Sequence, residues 1–142
     1  VTLAQRLLLL HEAERLKLYQ DTVGKWTIGV GRNLSDRGIS HDESRFLFAN
    51  DINRVEQELH ATFPWTTRLD AVRHAVLVDM LFNLGLPRFR LFKRMLYYAE
   101  QGDYARAAGQ MLASKWAGQV KTRAKRLAAM MATGTVPPEV AI

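Results

Sequence analysis

At 142 residues the chain has the length of one domain and enough material to bury an apolar core. Apolar residues make up 48% of it and charged ones 24%, which excludes an intrinsically disordered segment. The absence of cysteine excludes a disulfide scaffold. A net charge of +6 suits an anionic partner, whether nucleic acid, an anionic membrane or an anionic cell wall, and does not choose among them.

The only concentrated apolar run near the start, Leu7 to Leu10, is far shorter than the roughly 20 residues of a membrane span. No small-residue cleavage site follows it. Val1 in place of an initiator methionine leaves room for an upstream signal or module. Leu3, Leu7 and Leu10 recur at helical spacing, so a first helix is expected to end near His11-Glu12, capped by Thr2. From Arg15 to about Leu34 the pattern is β-like: Leu16 and Leu18 alternate with Lys17, Asp21 to Gly24 reads as a turn, and Trp26 and Ile28 flank Thr27. Ser35 to Gly38 reads as a second turn.

Ser40-x-x-Glu43 is a capping box ahead of a helix of roughly 20 residues, about 30 Å long, with Phe46, Leu47, Ile52, Val55 and Leu59 along it. Pro64 interrupts, and Thr66 or Thr67 is expected to start the next helix, over Ala71 to Leu84. That helix is the most apolar, and Gly85 ends it. Pro87 opens a helix to about Glu100. Asp103 caps another to about Ser114, and Thr122 caps the last, which stops at Gly134 before Pro137-Pro138 begins a tail. The predicted class is mainly α (α+β), with a small β-hairpin in the first third.

Three residues stand out for chemistry. Glu12 leaves a helix, Asp21 sits in a turn and Thr27 lies in a strand, in the spacing Glu-x8-Asp-x5-Thr. Two carboxylates flanking one bond are the requirement of acid–base cleavage of a glycosidic bond. Taken singly, each has a plainer reading: a solvated helix-end carboxylate, a turn-forming Asp and a β-branched strand residue. Glu14 does not fit the spacing to Asp21 and is expected to face water.

The order of motifs resembles the phage T4-type lysozyme family (glycoside hydrolase family 24, endolysins). The likeness rests on Glu12 with Arg15-Leu16, Tyr19-x-Asp21, Gly24 and Thr27-Ile28-Gly29-x-Gly31. It continues through Phe82-Asn83-Leu84-Gly85, Gly102-Asp103-Tyr104 with Ala107-Ala108, Ser114-Lys115-Trp116, Arg123-Ala124-Lys125-Arg126 and Thr133-Gly134-Thr135. It implies a lysozyme-like fold in a single domain, 1–142. A small lobe and connecting helix would cover about 12–60, and a helical lobe would combine 1–11 with 61–142.

The resemblance implies that Glu12 protonates the glycosidic oxygen while Asp21 and Thr27 position water, in an inverting displacement. Arg123 follows Trp116 at the spacing of the family's arginine that pairs with the catalytic glutamate. A cation there favours the ionised carboxyl, so orientation of Glu12 is its expected service; Lys125 is read as a surface cation. Asn33 and Asn83 are candidates to bind sugar or peptide, although Asn33 near a turn suits a structural role, and Asn83 stands where the family has glutamine. Tyr19 and Phe82 are candidate cleft walls with core packing as the alternative, and Trp116 is expected in the core. Arg32 replaces the family's histidine after Gly-x-Gly, which touches stabilisation rather than chemistry.

Other chemistries lack their residues. His11-Glu12-x-x-Arg15 misses the second histidine of a zinc-protease helix, and no metal-ligand set is expected. Gly29-x-Gly31 lacks the third glycine of a dinucleotide loop, so no cofactor is expected. No Gly-x-Ser-x-Gly or cysteine offers an acyl nucleophile. The expected activity is that of a muramidase cleaving the β-1,4 bond between N-acetylmuramic acid and N-acetylglucosamine of peptidoglycan, acting as a monomer. Anionic wall or outer-membrane polymers are further partners, and no motif supports nucleic acid. The place of action implied is the cell wall, either after release from the host cytoplasm or from a phage tail. The alternatives are a lytic transglycosylase, and a non-catalytic cationic module laying Lys121 to Met131 on an anionic surface.

Overall fold

The computed structural model describes residues 1–140. The chain divides into two compact units, Val1–Phe48 and Ala49–Ile142. The first opens with α1 (Leu3–His11), followed by strands β1 (Glu14–Gln20), β2 (Trp26–Val30) and β3 (Arg32–Asn33) and the single-turn helix α2 (Leu34–Arg37). Thr2 and Gln5 close a reciprocal capping box at the start of α1, satisfying amides that a helix end leaves orphaned. The strands form an antiparallel sheet in the order β1-β2-β3. Thr27 in β2 pairs with Tyr19 on one side and Asn33 on the other. The register between β1 and β2 shifts between Arg15 and Tyr19. Residues 1–11 fall within this first unit.

The long helix α3 (His41–Thr62) begins in the first unit and continues into the second. Ser40 and Glu43 exchange side-chain and backbone hydrogen bonds at its start, both at 3.1 Å. Of the residues expected to line it, Val55 and Leu59 are buried, whereas Phe46 and Leu47 are exposed.

The second unit holds the core. A 3-10 helix (Pro64–Arg68) leads to α4 (Ala71–Leu84), then α5 (Leu86–Phe89), α6 (Lys93–Glu100), α7 (Tyr104–Leu112), α8 (Lys115–Val120) and α9 (Thr122–Thr133). Val76, Leu77, Met80 and Leu81 of α4 are buried with Phe89, Met95, Met111, Trp116, Leu127 and Met131. Each large side chain of this kind contributes about 1.5–3 kcal/mol by leaving water. All five methionines of the chain (80, 95, 111, 130 and 131) lie in this core. Because α9 buries Ala124, Leu127, Ala128, Met130 and Met131, its apolar stripe faces protein, as expected of a packed helix rather than a surface-lying one.

Several boundaries differ from expectation. Asp70, not a threonine, caps α4, accepting the Arg73 N–H; Thr66 is fully buried and belongs to the 3-10 turn. The helix expected from Pro87 to Glu100 is broken into α5 and α6: Phe89 is fully buried, and the N–H groups of Leu91 and Phe92 donate three residues back, to Arg88 O and Phe89 O, in a tight turn instead of continuing the α-helical ladder. Thr122 is the first residue of α9 rather than its cap; the cap position is Lys121, with φ 47° and no side-chain bond. Residues 35–37 form the end of α2 rather than an open turn, and Gly38 terminates it at φ 60°.

Candidate active site

Glu12 is the residue at which α1 ends, and its backbone turns extended, φ −101° and ψ 126°. Its N–H still donates to Leu8 O, 2.7 Å, which fixes where the side chain leaves the helix. The carboxylate lies beside the turn between β2 and β3. A Cβ added to Gly31 would sit 3.3 Å from Glu12 Oε2. Gly31 also has φ +66°, a conformation that favours glycine, and an added Cβ would push the Glu12 carboxylate aside by a few tenths of an ångström. The side chain of Glu12 is exposed.

Asp21 and Thr27 are joined through one carbonyl. Lys25 O accepts the Asp21 N–H at 2.9 Å and the Thr27 hydroxyl at 2.9 Å. Asp21 Oδ1 accepts the N–H groups of Val23, 2.9 Å, and Lys25, 2.8 Å, closing the tight turn that Gly24 completes at φ +84°. Asp21 Oδ2 has no hydrogen bond to any described residue. Thr27 is the one buried residue of the first unit, 4% exposed. Its proton is committed to Lys25, so towards a water its oxygen acts as an acceptor. Asp21 Oδ2 and Thr27 Oγ1 are thus both left as acceptors.

The surrounding sheet is pinned by polar contacts. Lys25 Nζ pairs with Asp36 Oδ1, 3.0 Å, the Trp26 N–H donates to Ser35 Oγ, 2.8 Å, and Arg32 Nη1 pairs with Glu43 Oε2, 2.6 Å. The ammonium of Lys25, then the Asn33 amide, hold the Asp36 carboxyl below its usual range. The Ser40 N–H, then the Arg32 guanidinium, do the same for Glu43. Arg32, which stands where the resembled family has histidine, therefore ties the sheet to the start of α3. This salt bridge was not anticipated from the sequence.

The remaining candidates are placed as follows. Asn33 caps α2: its Oδ1 accepts the Asp36 N–H and its Nδ2 donates to Asp36 Oδ2, both at 3.0 Å. Both ends of its amide are thus engaged locally, the structural alternative expected for it. Tyr19 is half-buried and stacks under the Arg15 guanidinium, 4.3 Å from the ring centre.

In the second unit, Phe82 is 44% exposed. Asn83 Oδ1 accepts the Trp116 indole N–H, 2.7 Å, so what Asn83 retains for a ligand is its Nδ2. Arg123 Nε donates to Asp79 Oδ1, 2.8 Å. Asp79 was not among the residues singled out in the sequence. It sits within the apolar run of α4, and only the folded α4–α9 contact reveals its partner. Among the described residues no group of three or more His, Cys, Asp or Glu is arranged to hold a metal, and no helix is long and apolar enough to cross a membrane.

Comparison with known proteins gives a consistent result. A profile of the phage lysozyme family matches residues 10–131. The chain is 27% identical over 154 residues to "Probable T4-type lysozyme 1" of Dictyostelium discoideum, covering 88% of this chain and 91% of that protein. It is 28% identical over 120 residues to the "Endolysin" of Acyrthosiphon pisum secondary endosymbiont phage 1, covering 82% and 77%. It is also 25% identical over 153 residues to the "Pre-baseplate central spike protein Gp5" of Enterobacteria phage T4, covering 88% of this chain but 27% of that one. With the family profile spanning most of its length, the mainly α fold, and a small antiparallel sheet between α1 and α3, the chain belongs to the phage lysozyme family.

Proposed function

We propose that this protein is an endo-acting muramidase that hydrolyses the β-1,4 bond between N-acetylmuramic acid and N-acetylglucosamine with inversion. Family membership supports the broader statement, that it is a peptidoglycan hydrolase of the lysozyme kind. The finer reading assigns Glu12 as general acid, giving its proton to the leaving oxygen. Asp21 is the general base and Thr27 the second holder of the attacking water. The observation that carries it is the shared Lys25 carbonyl, which fixes Asp21 and Thr27 to each other and leaves one acceptor on each. A water held by its protons at both points attacks as the leaving oxygen is protonated, and Asp21 takes the proton it sheds.

Arg123 is assigned to support Glu12, and Asp79 holds its guanidinium. Asn83, through its Nδ2, and Phe82 are assigned to substrate, as is Tyr19 as a wall; Asn33, whose amide is engaged at both ends in capping α2, is assigned to substrate only where a ligand displaces Asp36. The same reading groups residues 1–11 and 61–142 in one helical lobe and 12–60 in a small lobe. It also places the protein at the cell wall, from the host interior or from a phage tail, as a monomer attracted by its positive charge.

The test compares the wild type with Glu12→Gln on purified peptidoglycan, with released sugars resolved by mass and anomeric form. Wild type is expected to release reducing, water-added muropeptides in the α-anomer, and the variant to lose about 10²–10⁴-fold in rate with its fold intact. Anhydro-sugars would make it a transglycosylase, and β-anomers would overturn inversion. Equal killing by both proteins without sugar release would make it a cationic module.

A further inference from the structure

The second unit contains a cavity of about 580 Å³ at the junction of α5, α6 and α8, and four cations line it: Arg88, Lys93, Arg94 and Lys115. No carboxylate is among its lining residues. Arg88 makes only a long contact, Nη2 to Gln119 Oε1 at 3.5 Å. Lys93, Arg94 and Lys115 have no ion pair or side-chain hydrogen bond with a described residue. All four are exposed side chains around an open concavity, so water screens their mutual repulsion while the concavity still focuses their field on a ligand.

The placement of two of these cations adds to the imbalance. Lys93 and Arg94 are the first residues of α6, whose first turn has no acidic residue and whose cap position, Phe92, supplies no side-chain bond. Cations at the positive end of a helix dipole are disfavoured. An anion in the cavity answers the focused field and the helix end at once.

We propose that this cavity binds a phosphate group borne on a saccharide of the bacterial wall. The naming of the wall as source rests on the hydrolase reading above; the anion chemistry does not. Four cations call for more than the single charge of a carboxylate, and a phosphate ester carries about −1.5 to −2 at neutral pH. Arg88 and Arg94 offer forked donors that match phosphate oxygens. Leu91, 74% exposed, and the half-buried Phe92 in the same lining provide apolar surface for the carbon skeleton of a sugar. The site would hold phosphorylated strands of wall against the enzyme through a contact that takes no part in bond cleavage.

Calorimetric titration at constant ionic strength tests it, using N-acetylglucosamine 6-phosphate, N-acetylglucosamine, inorganic phosphate and citrate as probes. The sugar phosphate is expected to bind, and the unphosphorylated sugar not to. The double variant Arg94→Gln/Lys115→Gln is expected to bind at least about tenfold more weakly, since two charge-assisted contacts are lost, while Lys121→Gln, outside the cavity, matches wild type. An unchanged double variant overturns the site. Inorganic phosphate binding as well as the sugar phosphate overturns the saccharide part, and citrate binding as well overturns phosphate selectivity.

Cleavage of phosphate-free peptidoglycan is measured alongside. The double variant is expected to retain wild-type cleavage with its melting temperature unchanged. If no wall is cleaved by wild type yet the sugar phosphate binds, the hydrolase reading fails and the site stands.

Discussion

The two units solve the problem of staying folded in opposite ways. In Val1–Phe48 the one buried residue is Thr27, and order comes from hydrogen bonds: the Thr2 box, the Asp21 turn, Lys25 with Asp36, Arg32 with Glu43. In Ala49–Ile142 the apolar cluster around α4 supplies the order, and the polar contacts mostly finish helix ends. The proposed acid, base and water-holding residue all belong to the first kind of structure. Geometry fixed by hydrogen bonds can place individual oxygen atoms, which apolar packing cannot, and it is also the more easily loosened.

The sharpest way to break this contrast is to delete apolar groups from each unit. Phe89→Ala in the fully buried core is expected to cost about 3–5 kcal/mol, and Leu16→Ala, 81% exposed in β1, no more than about 0.5 kcal/mol. Both are read from urea denaturation. Equal losses would mean that the first unit has a covered apolar face, and the contrast would fall.

Next in size is Thr27→Val, which removes the hydroxyl that reaches Lys25 O. We expect kcat on peptidoglycan to fall about 10²-fold with a melting temperature lowered by only a few degrees, since Lys25 O retains the Asp21 N–H. A variant that melts far earlier and is active in proportion to its folded fraction would reduce Thr27 to a packing residue.

Gly24→Ala and Gly31→Ala form a pair with a built-in control. Both glycines have positive φ, +84° and +66°, so each alanine is expected to cost about 1–2 kcal/mol in stability. Around Gly24 nothing lies within 4 Å of an added Cβ, whereas at Gly31 it meets Glu12 Oε2. Only Gly31→Ala should therefore lose activity beyond its stability cost. Equal activity in the two variants would show that the Glu12 carboxylate yields to the added methyl without losing its working position.

The smallest effect concerns pH. Glu43 is held below its ordinary value of 4.5, so its contribution to the first unit is complete above that value and lost as pH falls through the lowered one. Hydrogen exchange at the start of α3 is expected to accelerate below about pH 4.5, and Glu43→Gln to remove that dependence. A wild-type rate flat through this range would show that the Arg32 contact does not hold the helix start.

Legibility in the sequence followed the range of the interactions. The Ser40–Glu43 box, the Thr2 cap, the Asp103 cap and the Gly85 and Gly134 stops are local, and residues a few positions apart announce them. The break between α5 and α6 was hidden, since Arg90-Leu91-Phe92 contains neither glycine nor proline to announce it. Helix α8 is short enough that its Ser114 cap gave no periodicity to read. At the site, the spacing of Glu12, Asp21 and Thr27 was visible, but the Lys25 carbonyl that unites two of them was not. Backbone acceptors leave no mark on residue identity. The partners of Arg32, Asn83 and Arg123 were equally hidden, being chosen by tertiary contact.

The placement of sulfur has a consequence of its own. With no cysteine and every methionine buried, the described chain presents no exposed thiol or thioether to an oxidant. Moving it from reducing to oxidising surroundings forms no disulfide within it. Peroxide reaches a methionine only when the helical unit opens, and conversion there to the polar sulfoxide would oppose reclosure. The five thioethers thus serve as a chemical clock of that opening, readable as mass gained per hour in an otherwise native protein.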